Sequence, residues 1–233
     1  MSSSKPQSFK MILGSSSKAR KDILTKMGYE FEILTADIDE KSIRKEKPED
    51  LVMALAEAKA NAIMSVLQDT NFRDKNDECT LLLTSDTAEA IISRLGTSND
   101  KENDAESHLL ITADQVVVYD GVIREKPSSK EEAREYIKGY SGGHAATVSS
   151  VLVTNLKTGA KKGGWDKVEI YFDEIPEEII DKLIDEGVVL YVAGGLLIEH
   201  PLVLPLVKKV VGTLDSVMGL PKALTEELIQ QVL

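Results

Sequence analysis

The chain has 233 residues, 42% of them hydrophobic and 29% charged, a balance that suits a soluble globular fold with a sizeable core. Its 28 basic and 39 acidic residues leave a formal charge of −11, which argues against non-specific binding to nucleic acid or to an anionic membrane. One cysteine, Cys79, and three scattered histidines, His108, His144 and His200, argue against an internal disulfide, a cysteine zinc site and a histidine cage.

Residues 1–9 are polar and Ser-rich with no secretory apolar region, and the longest apolar run, 188–198, is far short of a bilayer span. A soluble, cytoplasmic protein is expected. Residues 9–13 read as a strand, then Gly14-Ser15-Ser16-Ser17 leads into a helix in which Ala19, Ile23, Leu24 and Met27 recur at helical spacing until Gly28. Tyr29, Phe31 and Ile33 alternate as a second strand, and Pro48 opens a long helix to about Leu67. Composition changes over 71–108, which reads as an insertion: polar to 78, apolar and ordered over 80–95, and a flexible polar loop over 96–107. Two apolar strand runs, 109–113 and 115–119, meet at Asp114, and Asp120-Gly121 turns the chain into Val122-Ile123. Ser129 and Glu132 form a capping box for a helix to about Lys138. Runs 146–156 and 167–172 pair as long antiparallel strands through Thr158-Gly159. A helix from Pro176 closes at Gly187, a strand covers 210–218, and a last helix starts at Thr225. The sum is an α/β fold, a mixed twisted sheet flanked by helices.

Four features could carry chemistry. The turn with Ser15 and Ser17 precedes a helix whose first residues are Lys18, Ala19, Arg20 and Lys21, cations where the helix dipole favours acids. A polyphosphate explains that inversion, and a capping serine followed by surface lysines is the plain alternative. The glycine spacing is not that of a Walker loop. Lys59 lies among Val52, Leu55, Ala62 and Ile63, near the centre of an apolar helix face, so it either snorkels or reaches into an anion site. Asp114 ends an apolar strand, where a carboxylate can hold a divalent cation or activate water, and Lys126 can fold back beside it. Asp86 competes with it but is followed by a helix-like run. Asp37, Asp39 and Glu40 form either a solvated turn or a source of a second metal ligand, and Ser141-Gly142-Gly143-His144 reads most simply as a structural turn.

Together these pieces resemble the Maf family of nucleoside triphosphate pyrophosphatases, from Ile12 to about Leu224. The matching motifs are Leu13 to Ser17 with Arg20, Asp39-Glu40, Lys59, Ala113-Asp114, Glu125-Lys126-Pro127, Ser141-Gly142 with His144, Ala193-Gly194, and Met218-Gly219-Leu220-Pro221. The resemblance implies a single domain over 8–228 of two lobes around a cleft, often a homodimer. It also implies magnesium- or manganese-dependent hydrolysis of a nucleoside triphosphate to the monophosphate and pyrophosphate. By position, Ser15, Ser17, Arg20, Lys59 and Lys126 hold the triphosphate, Asp114 accepts the proton, and Asp114 and Glu40 hold the metal. Ala19, Gln115 and Glu199 are similar to the subgroup acting on 7-methyl-GTP, since a carboxylate accepts both N–H donors of a guanine edge and attracts a cationic methylated base. Tyr191-Val192 departs from the Asp-Lys pair of many members. Three alternatives follow: a pyrimidine triphosphate pyrophosphatase, a degenerate nucleotide-binding regulator, and a phosphatase using Asp86.

Overall fold

A computed structural model describes residues 9–73 and 107–233 of the chain. They form a seven-stranded sheet of order β2-β1-β3-β5-β6-β7, with β4 paired to β3. The strands are β1 (Phe9–Leu13), β2 (Glu32–Ile33), β3 (Ser107–Tyr119), β4 (Val122–Arg124), β5 (His144–Asn155), β6 (Lys161–Phe172) and β7 (Val207–Val211). The helices are α1 (Lys18–Lys26), α2 (Pro48–Arg73), α3 (Lys130–Tyr140), α4 (Glu177–Glu186), α5 (Leu214–Val217) and α6 (Lys222–Val232). β1 runs parallel to β2 and β3, because α1 and α2 supply the crossovers, while β3, β5, β6 and β7 form antiparallel pairs. The α/β reading with a mixed sheet is what the chain adopts.

β3 organises the molecule through its period of two. Leu109, Ile111 and Ala113 pack with Ile23 and Leu24 of α1 and Leu228 and Ile229 of α6. Further along the same strand, Val117 joins a second cluster with Ile137 of α3, Ile180 and Leu183 of α4, and Ile170 of β6. The alternate residues Leu110, Thr112, Asp114 and Val116 face α2, whose Ala56 and Ala60 are fully buried and let the helix approach the sheet.

Several expectations change. Asp114 does not end a strand: it lies inside the continuous β3, paired with Ser150 of β5, because Lys59 of α2 satisfies its charge there. α2 continues to Arg73 and β3 begins at Ser107, so the expected insertion loses residues 71–73, 107 and 108 to regular structure. The remainder of the insertion, with Cys79, Asp86 and residues 96–106 of the loop, lies outside the described residues. The second strand shrinks to Glu32–Ile33. The strand expected over 210–218 stops at Val211, where Gly212 takes φ +131° and the chain turns into α5. The final helix starts at Lys222, three residues early, and buries Ile229 and Val232, so the folded unit extends beyond Leu228. The hairpin forms as expected, with Asp120 at φ 53° and Gly121 at φ 77°, the positive values a two-residue turn of this hand requires.

Candidate active site

The site gathers where β1, β3, α1 and α2 meet. β1 ends at Leu13, and Gly14 continues the ladder by donating its N–H to Ile111 O at 2.8 Å. A Cβ at Gly14 would stand 2.7 Å from both Ile63 Cδ1 and Thr112 Cγ2, so only glycine lets the turn pass this close to α2 and β3. Ser17 then caps α1, its Oγ accepting from the Arg20 N–H at 3.4 Å. Ser15 is buried, and its Oγ accepts from Ser17 N–H at 3.3 Å and from Arg20 Nη1 at 3.1 Å. Arg20 Nε donates to Gly219 O at 2.9 Å, which ties the guanidinium to the turn after α5. This is the inverted helix start expected from the sequence: α1 has no acid in its first turn.

On α2, Val52, Leu55, Ala56, Lys59, Ala60 and Ile63 share one face. Lys59 reaches from it to Asp114 Oδ1 at 2.6 Å and to Glu40 Oε1 at 2.8 Å. The Lys59 and Asp114 side chains are 16% and 11% exposed and Glu40 is 50% exposed, so the Asp114 contact is the less screened of the two. Glu40 is presented by a short 3₁₀ turn, Glu40–Ser42, that Asp39 caps by accepting from Lys41 N–H at 3.2 Å. Asp39 is thereby spent on the turn, and Glu40 is the acid that enters the cluster.

The two carboxylates are pushed in opposite directions. Burial raises the Asp114 pKa and prevails over the opposing pull of Lys59 and Arg20. Burial also opposes the Glu40 charge, but Lys59, Lys126 and Arg20 outweigh it and hold that group below its ordinary value. One carboxyl is shifted toward holding a proton and the other is kept ionised, a separation that suits acid–base work. Burial lowers the Arg20 pKa, with Asp114 and Glu40 working against the shift.

Ser15, Arg20, Glu40, Lys59, Asp114 and Lys126 are therefore linked by hydrogen bonds or by charge. Lys126 is exposed and acts on Glu40 through its charge. Magnesium and manganese take hard oxygen ligands. Asp114 and Glu40 supply two such groups that already converge on one cation, the Lys59 ammonium, so the pair fits an ion of that class. Among the described residues no group of three or more His, Cys, Asp or Glu side chains gathers, which leaves further ligands to the substrate or water.

The residues expected to read the base behave differently. Gln115 uses its amide nitrogen on Ser149 Oγ at 2.9 Å, Ser216 O at 3.1 Å and Val217 O at 2.7 Å, so that amide holds α5 to the sheet. Ala19 is half-buried on α1. Glu199 is exposed in a turn, not buried as charge-assisted recognition of a base would favour, while its neighbour His200 pairs with Glu186 at 2.8 Å. Ser141 accepts from Ile175 N–H at 2.8 Å and His144 stacks on Tyr171, as a structural turn would.

Sequence reasoning missed the roles of four residues. The Gly219 carbonyl carries no side-chain signal at all. Ser150 and Thr112, donating to Val52 O at 2.7 Å and Ala56 O at 2.8 Å, dock α2 on the sheet on either side of Asp114. Arg44 bonds Glu40 O at 3.3 Å and Glu125 Oε1 at 3.2 Å, joining the two segments that bear Glu40 and Lys126. Hydroxyls within apolar strands were the available sign for the second group.

Among the described residues no helix is long and apolar enough to cross a membrane. A family model described as Maf-like protein matches residues 10–232. A protein of Dictyostelium discoideum named 7-methyl-GTP pyrophosphatase is 37% identical over 222 residues, 95% of this chain and 96% of its own length. A nucleoside triphosphate pyrophosphatase of Chlamydia muridarum is 28% identical over 95% of this chain and 93% of its own. A dTTP/UTP pyrophosphatase of Alkaliphilus metalliredigens is 26% identical over 91% and 90%.

Proposed function

Because the chain belongs to the Maf family of nucleoside triphosphate pyrophosphatases, we propose that it hydrolyses a modified purine triphosphate, 7-methyl-GTP foremost, to the monophosphate and pyrophosphate. The observation that carries the proposal is Lys59, held between Asp114 and Glu40 beside the Arg20-Ser15 turn. An acceptor carboxylate and a set of cations lie together, as attack on a phosphorus atom with an anionic leaving group requires.

In this reading Ser15 and Ser17, with the free N–H groups at the start of α1, receive the phosphates and Arg20 adds a fixed charge. Water attacks the α-phosphorus. Its proton passes to a free oxygen of Asp114, whose burial-raised pKa makes it the better acceptor of the two carboxylates. The bond from the α-phosphorus to the oxygen bridging to the β-phosphate breaks, and Lys59 and Lys126 stabilise the departing pyrophosphate. A magnesium or manganese ion held by Asp114 and Glu40 would supply further neutralisation of phosphate charge. A homodimer of single-domain subunits, as the resemblance implies, belongs to the same reading.

Preference for 7-methyl-GTP rests on the 37% relative and on the chemistry of Glu199. A carboxylate accepts both guanine N–H donors, while a cationic base gains from an anionic reader. The exposure of Glu199 means solvent screens part of that gain. Product analysis over 7-methyl-GTP, GTP, CTP, UTP and dTTP with magnesium or manganese tests the whole. Pyrophosphate as first product, with the highest kcat/KM on 7-methyl-GTP, is expected. Higher values on UTP and dTTP would move the preference to pyrimidines, orthophosphate as first product would refute the reaction, and binding without release would leave a regulator.

A further inference from the structure

We propose that Arg124 is a positioning residue for this reaction, fixing the segment that delivers Lys126 to the phosphates; the proposal rests on Lys126 being a phosphate ligand. Lys126 is exposed and follows a strand of only three residues, so by itself its backbone would be poorly fixed. A long ammonium side chain on a loose backbone spreads its charge over a wide volume.

The neighbouring residues remove that freedom. Arg124 Cζ lies 4.0 Å from the ring centre of Tyr119, 4.5 Å from that of Tyr136 and 5.0 Å from that of Tyr140. Its Nη1 donates to Tyr136 O at 3.0 Å. The guanidinium thus joins β4 to the adjacent β3 and to α3 through three ring faces and a carbonyl. Tyr140 is fully buried and donates its hydroxyl to Gly194 O at 2.8 Å, and Gly194 N–H returns a bond to Glu125 O at 2.8 Å. Pro127 is buried. Residues 124, 125 and 127 are each anchored on protein, and the Lys126 side chain between them is left in solvent.

Three tyrosines around an arginine exceed what a three-residue strand needs for its own pairing. The Arg44–Glu125 ion pair on the outer side is exposed at both ends, 54% and 50%, and is screened accordingly. Arg124, half-buried among the rings, is the stronger anchor. Lysine would keep the charge there but lose the planar group that faces the rings and the forked donor.

The test is a double-mutant cycle on the full chain, joining Arg124→Met and Lys126→Ala. The readouts are KM and kcat for the triphosphate that the wild type hydrolyses best, and the Kd for inorganic pyrophosphate by calorimetry. Arg124→Met is expected to raise Kd and to lower kcat/KM about tenfold each, with part of the latter in kcat, as loss of a contact to the departing pyrophosphate implies. In the Lys126→Ala background the same change should move either value by less than about twofold. Arg124→Lys should fall between wild type and Arg124→Met, and it carries the cycle if the methionine variant does not fold. An equal effect of Arg124→Met in both backgrounds, or none in either, overturns the proposal. If Lys126→Ala binds pyrophosphate as the wild type does, Arg124 has nothing to position and the phosphate role of Lys126 falls with it. A wild type that binds pyrophosphate but hydrolyses no triphosphate refutes the reaction alone, and the cycle in Kd still decides on Arg124.

Discussion

Helices α1 and α3 begin in the same way and then diverge. Each follows a serine cap whose hydroxyl accepts from the third helical N–H, Ser17 from Arg20 at 3.4 Å and Ser129 from Glu132 at 3.1 Å. Each has lysine as its first residue. The next two are Glu131-Glu132 in α3 and Ala19-Arg20 in α1. In α3 both acids are held below the ordinary carboxylate range, Glu131 chiefly by a backbone hydrogen bond and Glu132 chiefly by the Ser128 N–H, so the helix start is neutralised from within. α1 adds cations to the positive end of its dipole. α3 makes a structural joint with α4, whereas α1 leaves a charge imbalance that a triphosphate would complete.

The largest expected effect comes from disabling the proposed acceptor, Asp114, which faces α2 beside the α1 turn. Asp114→Asn should lower turnover by about 10²–10⁴, the usual range for removing a general base. It should not lower the melting temperature at neutral pH. A carboxyl whose folded-state pKa is raised contributes stability below its unfolded value and loses it as pH rises through the folded value, so ionised Asp114 is a cost near pH 7 that the neutral amide removes. Calorimetric melts beside steady-state kinetics check both halves, and a large drop in melting temperature would contradict the second. Next, Arg20→Ala should lower kcat/KM on every triphosphate by roughly 10²–10³, as loss of one preorganised charged donor does. It should also reduce the thermal shift given by pyrophosphate, which for the wild type at 100 times Kd corresponds to about 2.7 kcal/mol.

Ala19→Glu tests the contrast directly, because position 19 in α1 corresponds to Glu131 in α3. The acid should stabilise the helix start by about 0.3–1 kcal/mol. It should also raise triphosphate KM by about tenfold through repulsion, the scale of one lost charge-assisted contact. Chemical denaturation and kinetics should therefore move in opposite senses; a higher stability with unchanged KM would mean the α1 start is not the phosphate site. The smallest effect separates the two caps: Ser17→Ala and Ser129→Ala should each cost about 1 kcal/mol in denaturant unfolding. Ser17→Ala alone should raise KM.

Much of this contrast was legible in the sequence because charge in an apolar pattern has few explanations. Lys59 on a buried helix face and Asp114 in a run of apolar strand residues each violated their own periodicity, and they proved to be partners at 2.6 Å. The same logic placed Asp114 at a strand end, since one residue cannot reveal that a helix 55 positions earlier supplies its counter-ion. The C-terminal third was harder to read. Val210 and Val211 looked like the start of a strand to Met218, yet Asp215 turns the chain by accepting from Lys222 N–H at 2.7 Å. The Arg124 cage was visible only as tyrosines at 136 and 140, one helical turn apart, with the arginine and third ring on neighbouring strands. Glu199 was read by analogy of position, and position does not report exposure.

The bond from Arg20 Nε to Gly219 O joins residues 199 apart in the chain. Gln115 adds two more bonds to Ser216 O and Val217 O from the middle of the sheet. During synthesis from the N-terminus, the Ser15 turn, Lys59 and Asp114 are all made before the segment that holds the guanidinium in place. A nascent chain can pair β1 with β3 and still lack the clasp, which closes only once residues 216–219 have been made. Truncation at about residue 213 would leave Arg20 untethered and would also strip Leu228, Ile229 and Val232 of α6 from the core against β3. Completion of the proposed phosphate site is thereby a later event than synthesis of the strands, the last of which ends at Val211.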